Sequence, residues 1–399
     1  MTDQAGYFEL TAPKKGTHIL IVSLIGYETL NKEITINSGA KNYVEIILQE
    51  KLADLQEVEV TAGSFTTGDK QGVTLSPLEV VTTPGAAADI FRAIKSFPGV
   101  SNIDEGSGLF VRGGDVSETK ILLDQATVVH PYKFETPTGG VFGTISPFLV
   151  SGTYFSSGGF SAKYGNALSG VLAMQSQGMP DSRNVELNLG MAAASLRFSA
   201  PVIENKLDIR FSGNRSFTQF LFDVNGISNE FKQAPLGLDG NLSIIYKPTP
   251  GSTIKFFNFG NQNEVGVRTN EPSFDGLFSS DEQNRLHNLQ WTQLWGDWLL
   301  ETSLSYNQFE SQSQLGGFNL EEQDRTYKIR TDLERYFSND FQINAGAEWV
   351  YIENSFIGSI PDQENVVDPN ASFTTLDEQF GAARQAAMWS SKPSCLADS

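Results

Sequence analysis

The chain has 399 residues, enough for two or three domains, and its 28 phenylalanines and 37 glycines favour β structure with many turns. Its net charge of −19 argues against nucleic acid as a partner. The single cysteine, Cys395, excludes a disulfide framework, and the scattered histidines His18, His130 and His287 predict no metal site. No pair among the 47 acidic residues is singled out by spacing, so we expect no enzyme activity and no cofactor.

Residues 1–53 show short alternating strands separated by turn signals, which is the pattern of a β-sandwich. The strands are predicted near 7–10, 19–25, 33–36 and 43–48. So few residues make a small sandwich core, and we therefore expect a partial domain that lacks its first strands. The opening Thr2-Asp3-Gln4-Ala5-Gly6-Tyr7-Phe8, followed by Gly26-Tyr27-Glu28, resembles the second half of a carboxypeptidase-regulatory-like domain.

Residues 54–78 differ in character from the strands before them. Glu57, Val58, Glu59, Val60 and Thr61 alternate strictly, and a Gly/Ser/Thr-rich tether follows them. One interpretation is a last sandwich strand followed by a linker, which the periodicity alone favours. The other is a detachable strand that pairs with a partner protein through its backbone.

Residues 79–178 predict a small mixed α/β domain of short elements. The pair Thr83-Pro84 is typical of an N-cap followed by a first helical residue. Ile90, Ile94 and Phe97 then follow at helical spacing. We therefore predict a helix over 84–96 that packs this apolar face against short strands.

Five short pieces of this glycine-rich stretch stand in a fixed order. Their residues are Pro98, Gly99, Val100, Arg112, Gly113, Gly114, Asp124, Tyr164, Gly165, Ser169 and Gly170. In order and spacing this set resembles the plug domain of TonB-dependent outer-membrane receptors, and the upstream arrangement resembles receptors of the Bacteroidetes type. Gln125 departs from the family pattern, which has glycine after the aspartate, and this puts the local turn type in question.

The resemblance implies an energised transport receptor in the outer membrane of a Gram-negative cell, with the N-terminal domain in the periplasm. It implies that residues 57–61 are a TonB box, bound by the TonB protein of the inner-membrane complex. The plug would then gate a barrel surrounded by outer-membrane lipid and admit a small solute that the sequence does not identify. Arg112 would lie in the polar lumen, where we expect it to pair with wall carboxylates.

Residues 179–357 show long alternating segments joined in turn by tight hairpins and longer polar stretches, which is typical of a transmembrane antiparallel β-barrel. We predict about eight strands, with aromatic girdles at their ends. Leu187, Ile209, Leu304 and Ile343 are expected to face lipid. The polar stretches are predicted as outward loops, at 219–237, 260–284 and 310–325.

Residues 358–399 are predicted to be an irregular tail, because the alternation fades there. A plugged transporter barrel has about 22 strands, so about eight predict only the N-terminal part of a barrel, and we interpret the chain as a fragment. The competing hypothesis is a secreted, multi-domain β-rich adhesin or carbohydrate-binding protein. Its strands would run about 5–6 residues, shorter than the segments found here.

Overall fold

The computed structural model describes residues 16–22, 30–36, 44, 46, 72–101, 107–134, 140, 142–160, 162–180, 182–226, 231–271, 274–338, 341–362 and 372–393. The chain forms two compact units, residues 1–61 and residues 62–399. In the first unit, β1 (Gly16–Val22) and β2 (Leu30–Ile36) pair antiparallel. The strands predicted at 7–10 and 43–48, except residues 44 and 46, lie outside the described residues, and so do the box candidates Glu57, Val58, Glu59, Val60 and Thr61.

The second unit begins with the plug domain, which we define as residues 72–178. Its described strands form a five-stranded sheet in the order β3-β10-β11-β6-β7, with β11 and β6 parallel, and two smaller two-stranded sheets. Short 3-10 turns lie at Val116–Glu118, Pro147–Leu149 and Ala162–Tyr164. The bounds are α1 Pro77–Thr82, α2 Ile90–Ile94, β3 Val73–Leu75, β4 Val100–Ser101, β5 Phe110–Val111, β6 Thr119–Leu123, β7 Ala126–Thr127, β8 Tyr132–Lys133, β9 Phe142–Gly143, β10 Val150–Ser156 and β11 Gly170–Ser176.

The predicted helix over 84–96 was wrong at its start. The first helix begins at Pro77 and not at Pro84. Ser76 and Glu79 form a reciprocal capping box there, with Pro77 in the first helical position. Thr83 is instead the C-cap of α1, and α2 starts only after Asp89. The predicted apolar face was right: Ile90, Ile94 and Phe97 belong to the buried core of the domain.

The remainder of the described chain forms one ten-stranded antiparallel sheet in sequential order, which we call the wall. A short helix, α3 (Gln219–Asn225), connects two of its strands. The strand bounds are β12 Asn184–Leu189, β13 Ala193–Ile203, β14 Leu207–Phe217, β15 Phe231–Thr249, β16 Ser252–Glu271, β17 Phe274–Trp295, β18 Trp298–Leu315, β19 Phe318–Ser338, β20 Phe341–Pro361 and β21 Phe373–Pro393.

Three sequence predictions for the wall were wrong. The sheet has ten described strands rather than eight, because β13, which contains Pro201, and β21 were missed. The predicted irregular tail 358–399 contains β21, which pairs along its length with β20. Much of the predicted loops 260–284 and 310–325 is likewise strand, closed at 316–317 by a tight turn in the second case. These extensions are largely polar, so their period-two signal weakens while the backbone ladder continues.

The predicted alternation of the wall is confirmed where both faces are described. Leu187, Leu304 and Trp349 are exposed on the outer face, whereas their alternating neighbours such as Ser303, Ser305 and Glu348 are buried on the inner face. Ile343 is half-buried and shares its parity with Trp349. No helix among the described residues is long and apolar enough to cross a membrane.

Candidate functional site

The glycine-rich pieces of the plug domain meet at one corner of it. The strand pair β4–β5 brings Val100 opposite Val111, and the Arg112 amide donates to the Gly99 carbonyl at 2.7 Å. A Cβ at Gly114 would come within 2.6 Å of the Ser169 Cβ, so only glycine permits this approach. The structure therefore brings these three motif pieces together by backbone packing.

Arg112 is not paired with the part of the wall that the structure describes. Its side chain is exposed and lies against Gly158, and it forms no ion pair with a wall carboxylate among the described residues. The backbone of Arg112 has a φ of +51°, in the left-handed region. Two lysines of the plug, Lys120 and Lys163, instead form ion pairs with carboxylates of the described wall.

Lys120 is the first of these lysines. It lies in β6 with its side chain 7% exposed, and its Nζ is 3.5 Å from the Glu348 Oε1 of the wall. The Nζ also donates to the Gly165 carbonyl at 2.8 Å, which ties the Tyr164-Gly165 piece to the same contact. Burial lowers the pKa of the Lys120 ammonium, and the Glu348 carboxylate opposes that shift.

Glu348 is the common acceptor of a buried cluster of cations. Lys328 Nζ lies 3.0 Å and Arg330 Nη1 3.5 Å from its Oε2. Arg330 also binds Asp332 through its Nε at 2.9 Å and donates to the Lys163 carbonyl of the plug. Lys328 in turn donates to the Thr127 hydroxyl at 2.9 Å. Charges on the wall are thus neutralised by one another and by the plug, with the backbone of the plug as an additional acceptor.

The turn between β6 and β7 is a second contact. Asp124 and Gln125 have φ values of +45° and +69°, which is the left-handed pair that a two-residue type I′ turn requires. The departure from glycine therefore does not change the turn. Instead, the Gln125 Nε2 donates to Glu301 and Asp332 on the wall, each at 3.1 Å.

Asp124 itself is buried and joins three elements. Its carboxylate accepts hydrogen bonds from the Ser176 amide, at 3.0 Å, and the Ser176 hydroxyl. The Nζ of Lys255, on the wall, lies 3.5 Å from the same carboxylate. The side-chain Nδ2 of Asn288 donates to the Asp124 backbone carbonyl at 2.9 Å. This aspartate therefore both fixes the plug sheet and contacts the wall.

Lys163 completes this side of the interface. Its Nζ lies 3.3 Å from Glu301 and 3.6 Å from Glu334, both on the wall. Burial acts to lower the pKa of the Lys163 ammonium, but the surrounding carboxylates outweigh burial and raise it. Lys163 is therefore held as a cation against an acidic wall surface.

A separate group of contacts involves the segment 128–134. His130 Nε2 is 2.8 Å from the Asp324 Oδ2, and Lys133 Nζ is 2.7 Å from the Asp239 Oδ1. The Phe134 amide donates to Glu282 at 2.7 Å. Every one of these acceptors lies on the inner face of the wall.

On another side of the plug, a cavity of about 860 Å³ lies between the plug and the wall. It is lined by plug residues including Asp89 and Phe148 and by wall residues including Asn188, Asp239 and Asn263. Asp89 caps α2 by accepting from the Arg92 amide at 2.9 Å and also accepts from the Gly143 amide. Its pKa is raised because it is buried beside this cavity.

Sequence reasoning did not identify Lys120, Lys163 or Glu348 as interface residues. One usable signal was present for Lys120, because it is a cation directly before the apolar run Ile121-Leu122-Leu123 of the strand Thr119–Leu123. Its partner could not be found by spacing, since Lys120 and Glu348 are 228 residues apart.

Comparison with known proteins agrees with this architecture. Residues 1–60 match the family of CarboxypepD_reg-like domains. A search of curated proteins with the chain gives no match. The fold is similar to that of a ferric enterobactin receptor from Pseudomonas aeruginosa, with a TM-score of 0.56 and 14% identity over 82% of this chain and 55% of that one.

Two further structures share the fold. The outer membrane transporter YddB from Escherichia coli gives a TM-score of 0.54 at 8% identity, over 80% of this chain and 55% of that one. The siderophore receptor PirA from Acinetobacter baumannii gives a TM-score of 0.53 at 13% identity, over 82% of this chain and 59% of that one. This chain therefore spans only a little over half the length of those structures. At these identities the likeness establishes the fold, so the predicted combination of a plug with receptor-barrel strands is confirmed.

Proposed function

We propose that the chain belongs to a TonB-dependent outer-membrane receptor that takes up a small solute, with the plug domain gating the barrel. The observation that carries this proposal is the plug–wall interface. It is made largely of charge pairs and hydrogen bonds, including those of Lys120, Gln125 and Lys163. Water can replace such partners when the plug moves, whereas a dry apolar interface would have to be exposed at a much higher cost.

The outer face of the wall supports a membrane location. Tyr306, Tyr327 and Tyr351 are neighbours across three strands, with ring centroids 5.0 and 6.3 Å apart. Trp298 lies eight residues before Tyr306 on β18, beside Trp295 at the hairpin. Eight residues of strand span about 27 Å along the strand. At the barrel tilt of about 35–45° they rise about 19–22 Å, which is close to the height of about 25 Å of the apolar band between aromatic girdles.

The lengths of the strands support an orientation for their two ends. The last seven described strands have 18–22 residues, whereas a membrane crossing needs about 9–11. The tight turn at Trp295–Trp298 in the β17–β18 hairpin then lies on the periplasmic side, and the polar extensions beyond Tyr306 lie outside the cell. Strands of this length disfavour the competing adhesin or carbohydrate-binding hypothesis, whose sandwich strands would have about 5–6 residues.

The partner part of the proposal assigns residues 57–61 as a TonB box. Its support is position: an alternating strand, then a flexible tether, then the plug domain. Strand addition takes its affinity from main-chain hydrogen bonds, and proline removes a donor from that edge. Of the similar solved structures, one is named as a ferric enterobactin receptor and another as a siderophore receptor. A siderophore is therefore the first solute class to test here.

The test is uptake by cells that carry the complete receptor. We expect Val58→Pro to abolish uptake while ligand binding at the cell surface is retained. Thr67→Pro, in the tether, is the matched control and should leave uptake intact. If Val58→Pro transports normally, or if both prolines fail alike, the box assignment is wrong. Detergent-dependent extraction of the receptor with the outer membrane tests the location separately.

A further inference from the structure

The segment 128–134 brings a histidine of the plug to two carboxylates of the wall. One ligand atom from each of His130, Glu322 and Asp324 lies within 4.8 Å of the other two. His130 follows the β6–β7 hairpin, and Glu322 and Asp324 are two residues apart on the inner face of β19. We propose that these three side chains form a divalent transition-metal site, with zinc as the best-fitting ion, that fastens the plug to the wall.

The donor set fits that class of ion. Imidazole nitrogen with two carboxylate oxygens is a set used for zinc and for related first-row metals. Zinc takes such ligands at about 2.0–2.2 Å, so donors around one ion are separated by at most about 4.4 Å. The three ligand atoms lie within 4.8 Å of one another, within about 0.4 Å of that limit. Two carboxylates with a neutral imidazole also balance the charge of a divalent cation.

Neighbouring groups hold the ligands in place. The His130 ring stacks on Phe309 with centroids 3.7 Å apart and planes 9° from parallel. The His130 carbonyl accepts from the Asn284 amide at 2.7 Å. Asn354 donates to the Asp324 Oδ1 at 2.5 Å, which leaves the Oδ2 directed at His130. Contacts of this kind orient the side chains that bind the metal and raise their affinity for it.

Burial distinguishes this cluster from acidic surface groups. The side chains of His130 and Asp324 are 11% and 9% exposed. The plug supplies one ligand and the wall two, so a bound ion would add a cross-link between them. Sequence reasoning predicted no metal site, because His130 and Asp324 are 194 residues apart and only the fold brings them together.

The simpler reading of the same geometry is an ordinary His130–Asp324 ion pair that binds no metal. Zinc titration separates the two readings. The chain, produced without a histidine tag and with Cys395→Ser, is stripped with a chelator in detergent and titrated with zinc sulfate in a calorimeter. We expect one zinc per chain, and cobalt in its place should give the absorption bands of a coordinated ion.

Matched variants assign the ligands. His130→Ala and Glu322→Gln should each lower the zinc affinity by at least about tenfold, and Asn354→Ala by about ten- to a hundredfold. The controls are Glu321→Gln, an exposed neighbour of Glu322, and His287→Ala, outside the cluster, both with unchanged affinity. Asp324→Asn keeps the side-chain shape, so it distinguishes loss of a ligand from loss of the fold.

The cross-link has its own readout. Zinc should slow hydrogen exchange of residues 126–134 in the parent chain and leave exchange unchanged in Asp324→Asn. Absence of stoichiometric zinc binding by the parent chain overturns the proposal. Equal affinity of the parent and of both His130→Ala and Glu322→Gln also overturns it, because the ion then binds elsewhere.

Discussion

The interior of the plug domain and its contact with the wall are built on opposite principles. The interior is apolar: Ile90, Phe91 and Ile94 of α2 pack with Leu123 and Leu172 of the sheet, all almost completely buried. At the contact between plug and wall, by contrast, the buried groups are charged. They include Lys120 of the plug and Lys328, Arg330, Asp332 and Glu348 of the wall. Among the described wall side chains, Phe257, Phe259 and Leu286 join the plug core.

This difference separates what holds the plug together from what holds it in place. Apolar burial contributes about 25 cal/mol per Å² and favours one packed arrangement. Buried ion pairs contribute far less net stability, since desolvation offsets most of their attraction. A pull on the plug would therefore break wall contacts before it unfolded the hydrophobic core.

The largest expected effect is on the core. Ile94→Asp places a carboxylate at a fully buried position without a cationic partner, and we expect it to cost more than about 4 kcal/mol and to unfold the plug domain. Hydrogen exchange of β6 and β11 in the detergent-solubilised chain measures this. Leu78→Asp is the control, because Leu78 lies on α1 with 52% of its surface exposed. Native protection in Ile94→Asp would contradict the assigned core.

A smaller effect is expected at the wall. Glu348→Gln keeps the shape of the acceptor but removes the charge shared by Lys120, Lys328 and Arg330. Leaving buried cations without that partner should weaken plug docking by about 3–5 kcal/mol. Exchange of the wall-facing plug segment 163–165 should rise, while protection of the core around Ile94 remains.

The matched control for that change lies on the same strand. Glu353→Gln removes the partner of Arg325, a half-exposed pair at 4.0 Å, and such pairs contribute about 0–1 kcal/mol. If Glu348→Gln exposes the plug core and the wall contact together, the two regions are not independent. The comparison drawn between them would then be wrong.

Local sequence signals predicted the helices and strands of the plug and the wall better than they predicted which residues these elements contact. Alternation identified the membrane-height parts of the strands, since one face is apolar and the other polar. It failed for the extension beyond Tyr306, where Ser311, Ser313 and their neighbours are polar on both faces. For the plug, the Thr83-Pro84 pair looked like a helix start, but the capping box at Ser76 and Glu79 determines where α1 begins.

The site required information that no local pattern contains. Apolar spacing found Ile90 and Ile94, because a helix face is set within a few residues. The acceptors of Lys120 and His130 lie on strands far along the chain, so wall register decides which carboxylate each plug cation meets. A resemblance to known plugs led instead to Arg112, which is exposed and pairs with no carboxylate of the described wall.

The smallest expected effect concerns Gln125, where backbone and side chain act in opposite directions. Its φ of +69° is unfavourable for a residue with a Cβ, by about 1–2 kcal/mol. Its side chain offsets this with two hydrogen bonds to Glu301 and Asp332, worth about 1.5–3 kcal/mol each to a charged group. Gln125→Gly removes both terms, so we expect a net loss of stability of about 1–5 kcal/mol. Gln125→Ala removes the bonds but keeps the strain, and it should be less stable than the glycine variant by about 1 kcal/mol. Thermal unfolding of the two variants side by side measures that difference, and equal midpoints would show that the left-handed turn carries no cost at this position.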